Sequence, residues 1–286
     1  MKKRLNSSYV KKQLLNALRF AVTFSSFIGV FIALIPFDEK WWINAITIAS
    51  VFVLSFVIVA LILLMKRKRK IGECNNVSIN AMYGDILNIN VKNNEVKPVI
   101  VIPVNSAYDY IVEDNLDIEN PIVSPKTLHG KWIVKITNGE AEKIEQLRKD
   151  IEKGIKVSGL EVIKRLENKR GNKEQYKLGS AIFVERDDCT YLLFALTDFD
   201  EKNHVVERHV RIYSNLINDL INETGRCQGR DVYVPVMGVG LSLFGLDHKH
   251  AFEIMKATII NQKNTLKSSI NIVIFDGDRD KVSIYD

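Results

Sequence analysis

Val232-Tyr233-Val234-Pro235-Val236-Met237-Gly238-Val239-Gly240-Leu241-Ser242-Leu243-Phe244-Gly245 is an apolar, β-branched run that stops at a glycine-spaced turn. The run predicts a buried strand, and a helix is expected from about Leu246. Gly238, Gly240 and Gly245 remove side chains where backbone N–H groups can face a ligand. A strand–loop–helix unit of this kind suits a phosphate, because unpaired amides and a helix N-terminus favour negative charge.

Working outward, Ser269 to Phe275 predicts a last strand after a helix over about 247–262. Upstream, Lys97-Pro98-Val99-Ile100-Val101-Ile102-Pro103-Val104 is a continuous apolar run, fit for the centre of a sheet. It delivers Asn105-Ser106-Ala107-Tyr108-Asp109 at its carboxyl end, where open α/β sheets commonly bind ligands. Val77 to Tyr83 alternates as a first strand and ends in Gly84-Asp85-Ile86-Leu87. Residues 114–131 read as irregular and contain Ser124-Pro125-Lys126-Thr127-Leu128-His129-Gly130. Helical spacing recurs over about 139–153 and 204–223, and two adjacent strands are expected over 178–184 and 189–196. Residues 154–175 are mostly polar and read as a surface excursion. Alternating strands and helices, with adjacent strands in places, predict a mixed sheet between helix layers.

Charge divides the chain. Residues 1–70 hold twelve Lys/Arg and two Asp/Glu, whereas the rest holds 28 and 32. The overall charge of +6 therefore gives no reason to expect nucleic acid as a partner. The basic residues flank two uncharged runs, Phe20 to Phe37 and Trp41 to Met65. A bilayer core needs about 20 helical residues, so these runs predict transmembrane helices over 19–37 and 41–65. Only Asp38-Glu39-Lys40 separates them, which predicts an antiparallel hairpin, with Trp41 and Trp42 as interfacial anchors. Residues 1–18 form a basic N-terminal segment, and Lys66-Arg67-Lys68-Arg69-Lys70 opens a basic linker over 66–76. Basic flanks at both outer ends place both termini in the cytoplasm and the soluble domain, 77–286, in the cytosol. Anchoring, rather than a conducting path, suits spans with no ionisable residue inside.

Cys74, Cys189 and Cys227 lie far apart and suit a reduced compartment. The five histidines join no cysteine or carboxylate cluster, so no metal is expected.

Three separated pieces resemble one family. Gly84-Asp85-Ile86 resembles the GDI motif of macro domains, and Asn105 resembles the first asparagine of their NAAN segment. Val234-Pro235-Val236-Met237-Gly238-Val239-Gly240 with Phe244-Gly245 resembles their second phosphate loop. The resemblance implies a three-layer α/β/α macro fold over 77–286 and an ADP-ribose-like ligand. With two preceding spans, the chain resembles the membrane effectors of Thoeris anti-phage defence. This implies a nucleotide signal made by a TIR-domain enzyme, such as a histidine–ADP-ribose conjugate. It further implies homo-oligomer assembly at the plasma membrane and bilayer disruption that kills or arrests the infected cell. By that resemblance Asp85 accepts from the adenine amino group and Ile86 adds a backbone N–H. Gly238, Val239, Gly240, Leu241 and Ser242 wrap the diphosphate, and Phe244 stacks near the distal ribose. Asn105 and Ser106 lie at the ribose, and Ser124, Thr127, His129 and Gly130 stand in for the first phosphate loop. Ser106-Ala107-Tyr108-Asp109 departs from the family pattern, which favours a sensor without catalytic residues. The alternative is a membrane-anchored ADP-ribosyl hydrolase.

Each of these residues also has a plainer reading. Asp85 suits a helix cap. Gly238 and Gly240 suit tight turns. Asn105 suits a loop brace, His129 a structural histidine and Phe244 a core residue.

Overall fold

The structure, a computed structural model, describes residues 14–24, 26, 41–74, 77–89, 96–115, 119–227, 229–242 and 244–286. Internal contacts divide the chain into two units. One holds the chain up to Arg67 with Arg279–Tyr285, and the other holds Lys68–Asp278 with Asp286.

In the first unit, Leu14–Phe24 is a short apolar helix, α1. Most of the first predicted span, and the Asp38-Glu39-Lys40 connector, lie outside the described residues. Trp41–Met65 is one uncharged helix, α2, and its Ala45–Ile62 segment is long and apolar enough to cross a membrane. Hydroxyls here bond back to their own helix: Thr23 to the Arg19 carbonyl, Ser26 to Val22 and Ser55 to Phe52. Such bonds satisfy the hydroxyl without a neighbour or water.

The second unit is built on a seven-stranded mixed sheet. Its strands are β1 (Lys68–Cys74), β2 (Val77–Gly84), β3 (Val99–Asn105), β6 (Ala181–Glu185), β7 (Thr190–Thr197), β8 (Val232–Pro235) and β9 (Ile270–Phe275), in the order β1-β2-β9-β8-β3-β7-β6. The two-residue strands β4 (Lys164–Arg165) and β5 (Glu174–Gln175) pair separately. From β2 to β7 every pairing is parallel, and the two edge strands are antiparallel. Five strands therefore end on the same side, and their loops share one rim.

Alternation along β3 divides the core. Ile100, Ile102 and Val104 join one apolar cluster with Trp132 and Ile133 of α3 (Leu128–Thr137) and Leu147 and Ile151 of α4 (Ala141–Val157). Val99 and Val101 are buried too, on the opposite pleat. Helices α5 (Val210–Thr224) and α6 (His248–Asn261) pack together and bury Tyr213, Leu216, Ile217, Phe252 and Met255. Burial on both faces explains why β3 reads as a continuous apolar run.

Three expectations are corrected. The linker over 66–76 contains β1, which pairs antiparallel with β2, Lys68 opposite Met82 and Cys74 opposite Val77. Exposed Lys68 and Lys70 alternate with half-buried Arg69 and Ile71, so the charges hide a period of two. The irregular 114–131 stretch ends inside α3, which Thr127 caps by accepting from the Gly130 N–H. The helix expected from 204 starts at Val210, after His209, whose ring accepts from the Arg211 N–H as the cap.

Candidate functional site

The rim carries Asp85, Asn105 and Gly238–Ser242, all selected from sequence, on three loops. The loop after β2 is a single 3-10 turn, Ile86–Asn88, that packs against β8. Asp85 caps it: one carboxylate oxygen accepts from the Leu87 N–H at 3.0 Å and the other from the Asn88 amide at 2.7 Å. Ile86 buries its side chain in the core, while Gly84 closes β2 opposite Phe275. Lys135 of α3 donates to the Leu87 carbonyl and to Asn88, which ties that helix to the turn.

A register shift between Val104 and Asn105 ends the β3–β7 ladder. Asn105 is buried: its side-chain carbonyl accepts from the Ala107 and Asp109 N–H groups at 3.2 Å, and one N–H of its amide donates to Asp109 Oδ2 at 3.0 Å. Tyr108 takes the left-handed φ of 49° that this tight turn requires. Ser106 is fully buried, and its hydroxyl has no partner among the described residues.

Asp109 and Lys169 form an ion pair at 2.7 Å, with 1% and 0% of their side chains exposed. Lys169 also donates to the Arg170 and Asn172 carbonyls, and Asp109 Oδ1 accepts from the Asn172 N–H at 2.6 Å. Burial pushes the Asp109 carboxyl above its ordinary range, against Lys169, Asn172 and Asn105, which stabilise its charge. Breaking a buried pair costs about 3–5 kcal/mol, so this loop is held in one geometry. Residues 154–175 were expected on the surface; they supply Lys169 and the buried Leu166. A lone lysine in a polar stretch gives no sequence signal of burial.

The Ser124–Gly130 segment is held by its own bonds. Ser124 Oγ accepts from the Lys126 N–H, and Thr127 Oγ1 donates to the Ser124 carbonyl at 2.7 Å. A Cβ on Gly130 would lie 2.2 Å from the Ser124 oxygen, so this glycine permits close packing. His129 is buried beside Trp132, 6.2 Å between ring centroids. Burial pushes its pKa down to about 3, partly opposed by a bond to the Asp109 backbone. The ring is therefore neutral at pH 7, and its Nε2 has no partner among the described residues.

After β8, Gly238 has φ 82°, and a Cβ there would meet the Tyr213 ring at 2.3 Å. Tyr213 supports the loop by donating to the Met237 carbonyl at 2.8 Å. Gly240, at φ 61°, has an open side: among the described residues an added Cβ would meet nothing within 4 Å. Gly240–Ser242 is a 3-10 turn, preceded by Val239, whose carbonyl accepts from the Ser242 N–H at 3.5 Å. Leu241 takes part in that turn by its backbone. Phe244 is buried and packs on Tyr213 at 5.5 Å, a core position.

The parallel sheet thus brings the Asp85, Asn105 and Gly238–Ser242 loops to one rim, with open space at Gly240. A profile of the family described as the macro domain of Thoeris protein ThsA matches residues 59–275. The chain belongs to this family. No curated protein sequence matches this ThsA macro-domain chain. Among solved structures it is similar to an Oceanobacillus iheyensis macrodomain mutant with ADPR. That alignment has a TM-score of 0.46 and 14% identity, and covers 76% of this chain and 94% of the other. The same macrodomain with ADP gives a TM-score of 0.45 at 14% identity, covering 76% and 92%. The macrodomain of Mycobacterium tuberculosis DarG gives 0.35 at 14% identity, covering 68% and 96%.

Two further features complete the ThsA macro domain. Among the described residues, no group of three or more His, Cys, Asp or Glu is arranged to hold a metal. Beyond the Asn105–Asp109 loop, a crevice of about 370 Å³ opens between α4 and residues 165–176. It is lined by Ala107 but by none of the residues selected from sequence.

Proposed function

We propose that this chain is a membrane-anchored receptor for an ADP-ribose-derived signal, acting as a Thoeris-type defence effector. Family membership supports the macro-domain part of this reading. The observation that carries the sensor reading is Asn105. Its side-chain carbonyl and one amide N–H are committed to the Asn105–Asp109 loop, and Asp109 is committed to Lys169. A hydrolase needs a base or a positioned water free to act on the ribose. Here the Asn105 side-chain carbonyl and the Asp109 carboxylate hold the loop instead.

The ligand lies across the rim, with its diphosphate against the Gly238–Ser242 backbone and its adenine toward Asp85. The open side of Gly240 lets the backbone approach the phosphates without a Cβ between them. Asp85 retains acceptor capacity while capping, because a carboxylate offers about four lone-pair sites. The two apolar helices anchor the protein in the plasma membrane with both termini in the cytoplasm. A TIR-domain enzyme supplies the signal, a histidine–ADP-ribose type of conjugate. Binding favours an assembled state of the cytosolic domains to the extent that this state binds the signal more tightly. The clustered helices then disrupt the bilayer and stop the infected cell.

The test is dye release from liposomes holding the full-length chain. Adding the conjugate is expected to release dye, and Asp85→Ala to abolish release. Release without ligand, or none with saturating ligand, contradicts the effector role.

A further inference from the structure

We propose that the crevice between α4 and residues 165–176 is a second binding site, for a free α-amino acid with an apolar or aromatic side chain. Its volume of about 370 Å³ lies near the lower end of ligand pockets, which run to about 1,000 Å³. That suits a molecule of amino-acid size. Ile151 and Ile155, one turn apart on α4, form an apolar wall with Tyr110 and Tyr176. This wall suits an apolar or aromatic side chain.

The charged groups at the crevice differ in how fully they are engaged. Arg148 is bound by Glu145 at 2.6 Å and by Glu152, so neither it nor Glu152 is the main handle. Arg165 is paired through Nε to Glu167 at 2.9 Å, but its Nη1 faces Glu174 across β4 and β5 only at 3.6 Å, too long for a full hydrogen bond. Arg165 and Glu174 are both half exposed, at 58% and 46%. Tyr176 reaches Glu174 only at 3.3 Å, and Lys173 reaches Glu167 only at 3.7 Å. One carboxylate, one loosely held lysine and the terminal nitrogens of Arg165 thus stand beside an apolar wall. The ammonium of a zwitterion would bind Glu174, and its carboxylate would bind Arg165 and Lys173. Charged hydrogen bonds of this kind are the stronger ones, and opposite charges select against molecules carrying only one of them.

The crevice also has a rigid back. A Cβ on Gly171 would fall 2.5 Å from Asp109 Oδ1, and the Asn172 side chain donates to the Ala107 carbonyl at 3.0 Å. Through Asp109 these bonds reach Asn105, so an occupant rests against the same loop that closes β3. The proposal is independent of the ligand assigned to the rim.

The experiment is calorimetric titration of the full-length chain in detergent with L-phenylalanine, and separately with phenethylamine and 3-phenylpropionate. Saturable binding of L-phenylalanine is expected, with each single-charge analogue at least tenfold weaker. Arg165→Gln and Glu174→Gln are each expected to weaken binding tenfold or more. Both positions are solvent-facing, so melting temperature should stay unchanged and separate lost binding from lost folding. No saturable binding of L-phenylalanine or L-leucine at millimolar concentration overturns the proposal. So does equal binding of the analogues, or indifference to both substitutions.

Discussion

Gly238 and Gly240 are two residues apart and both have left-handed φ, yet a methyl group at each would meet different surroundings. At Gly238 it would strike the Tyr213 ring, whereas at Gly240 it would enter open space. Gly238→Ala should therefore destabilise by roughly 2–4 kcal/mol, combining the backbone cost with overpacking. Gly240→Ala should cost only about 1–2 kcal/mol, from backbone conformation alone. Urea unfolding of both variants checks the order, and a reversed order would contradict the separate roles. Sequence alone marks both glycines equally, because the ring that distinguishes them comes from α5, some 25 positions away.

His129 offers a second test at this scale. In the unfolded chain its imidazole titrates near 6.5, and in the folded protein near 3. A depressed folded value gives stability that is complete above pH 6.5 and drains as pH falls toward 3. Between pH 6.5 and 5 the loss is roughly 1.5–2 kcal/mol. Urea midpoints measured at the two pH values should converge in His129→Leu relative to wild type. An equal pH dependence in both would mean that His129 charges without cost in the fold.

Among the elements, β1 changes where the α/β unit begins. It covers β2 along one edge, and its exposed Lys68 and Lys70 discourage further strand pairing there. A fragment starting at Val77 should expose the β2 edge, melt lower and aggregate more readily than one starting at Lys66. Light scattering during thermal melting compares the two, and identical behaviour would make β1 dispensable. Strands β3, β8 and β9 were legible because burial on both faces leaves continuous apolar runs. Strand β1 was not, since an edge strand solvated by lysine and arginine looks like a charged tail. Helix α3 was obscured by Gly130 and by the β-branched Ile133, Val134, Ile136 and Thr137, which carry weak helix propensity. The rim was legible as glycines and an asparagine after apolar runs. The ion pair that shapes it was not, because Asp109 and Lys169 are 60 positions apart and carry no periodic signal.

At the scale of the whole molecule, an apolar N-terminal unit precedes a macro domain whose parallel strands end on one rim. The proposed function requires that this rim bind an ADP-ribose derivative and leave it intact. The most direct measurement is calorimetric titration of the full-length chain in lipid nanodiscs with ADP-ribose and with its histidine conjugate, followed by chromatography of the recovered ligand. Saturable binding is expected, tighter for the conjugate, weakened at least tenfold by Asp85→Ala, with the ligand recovered unchanged. Absence of binding by either compound, or recovery of cleaved product, would contradict it.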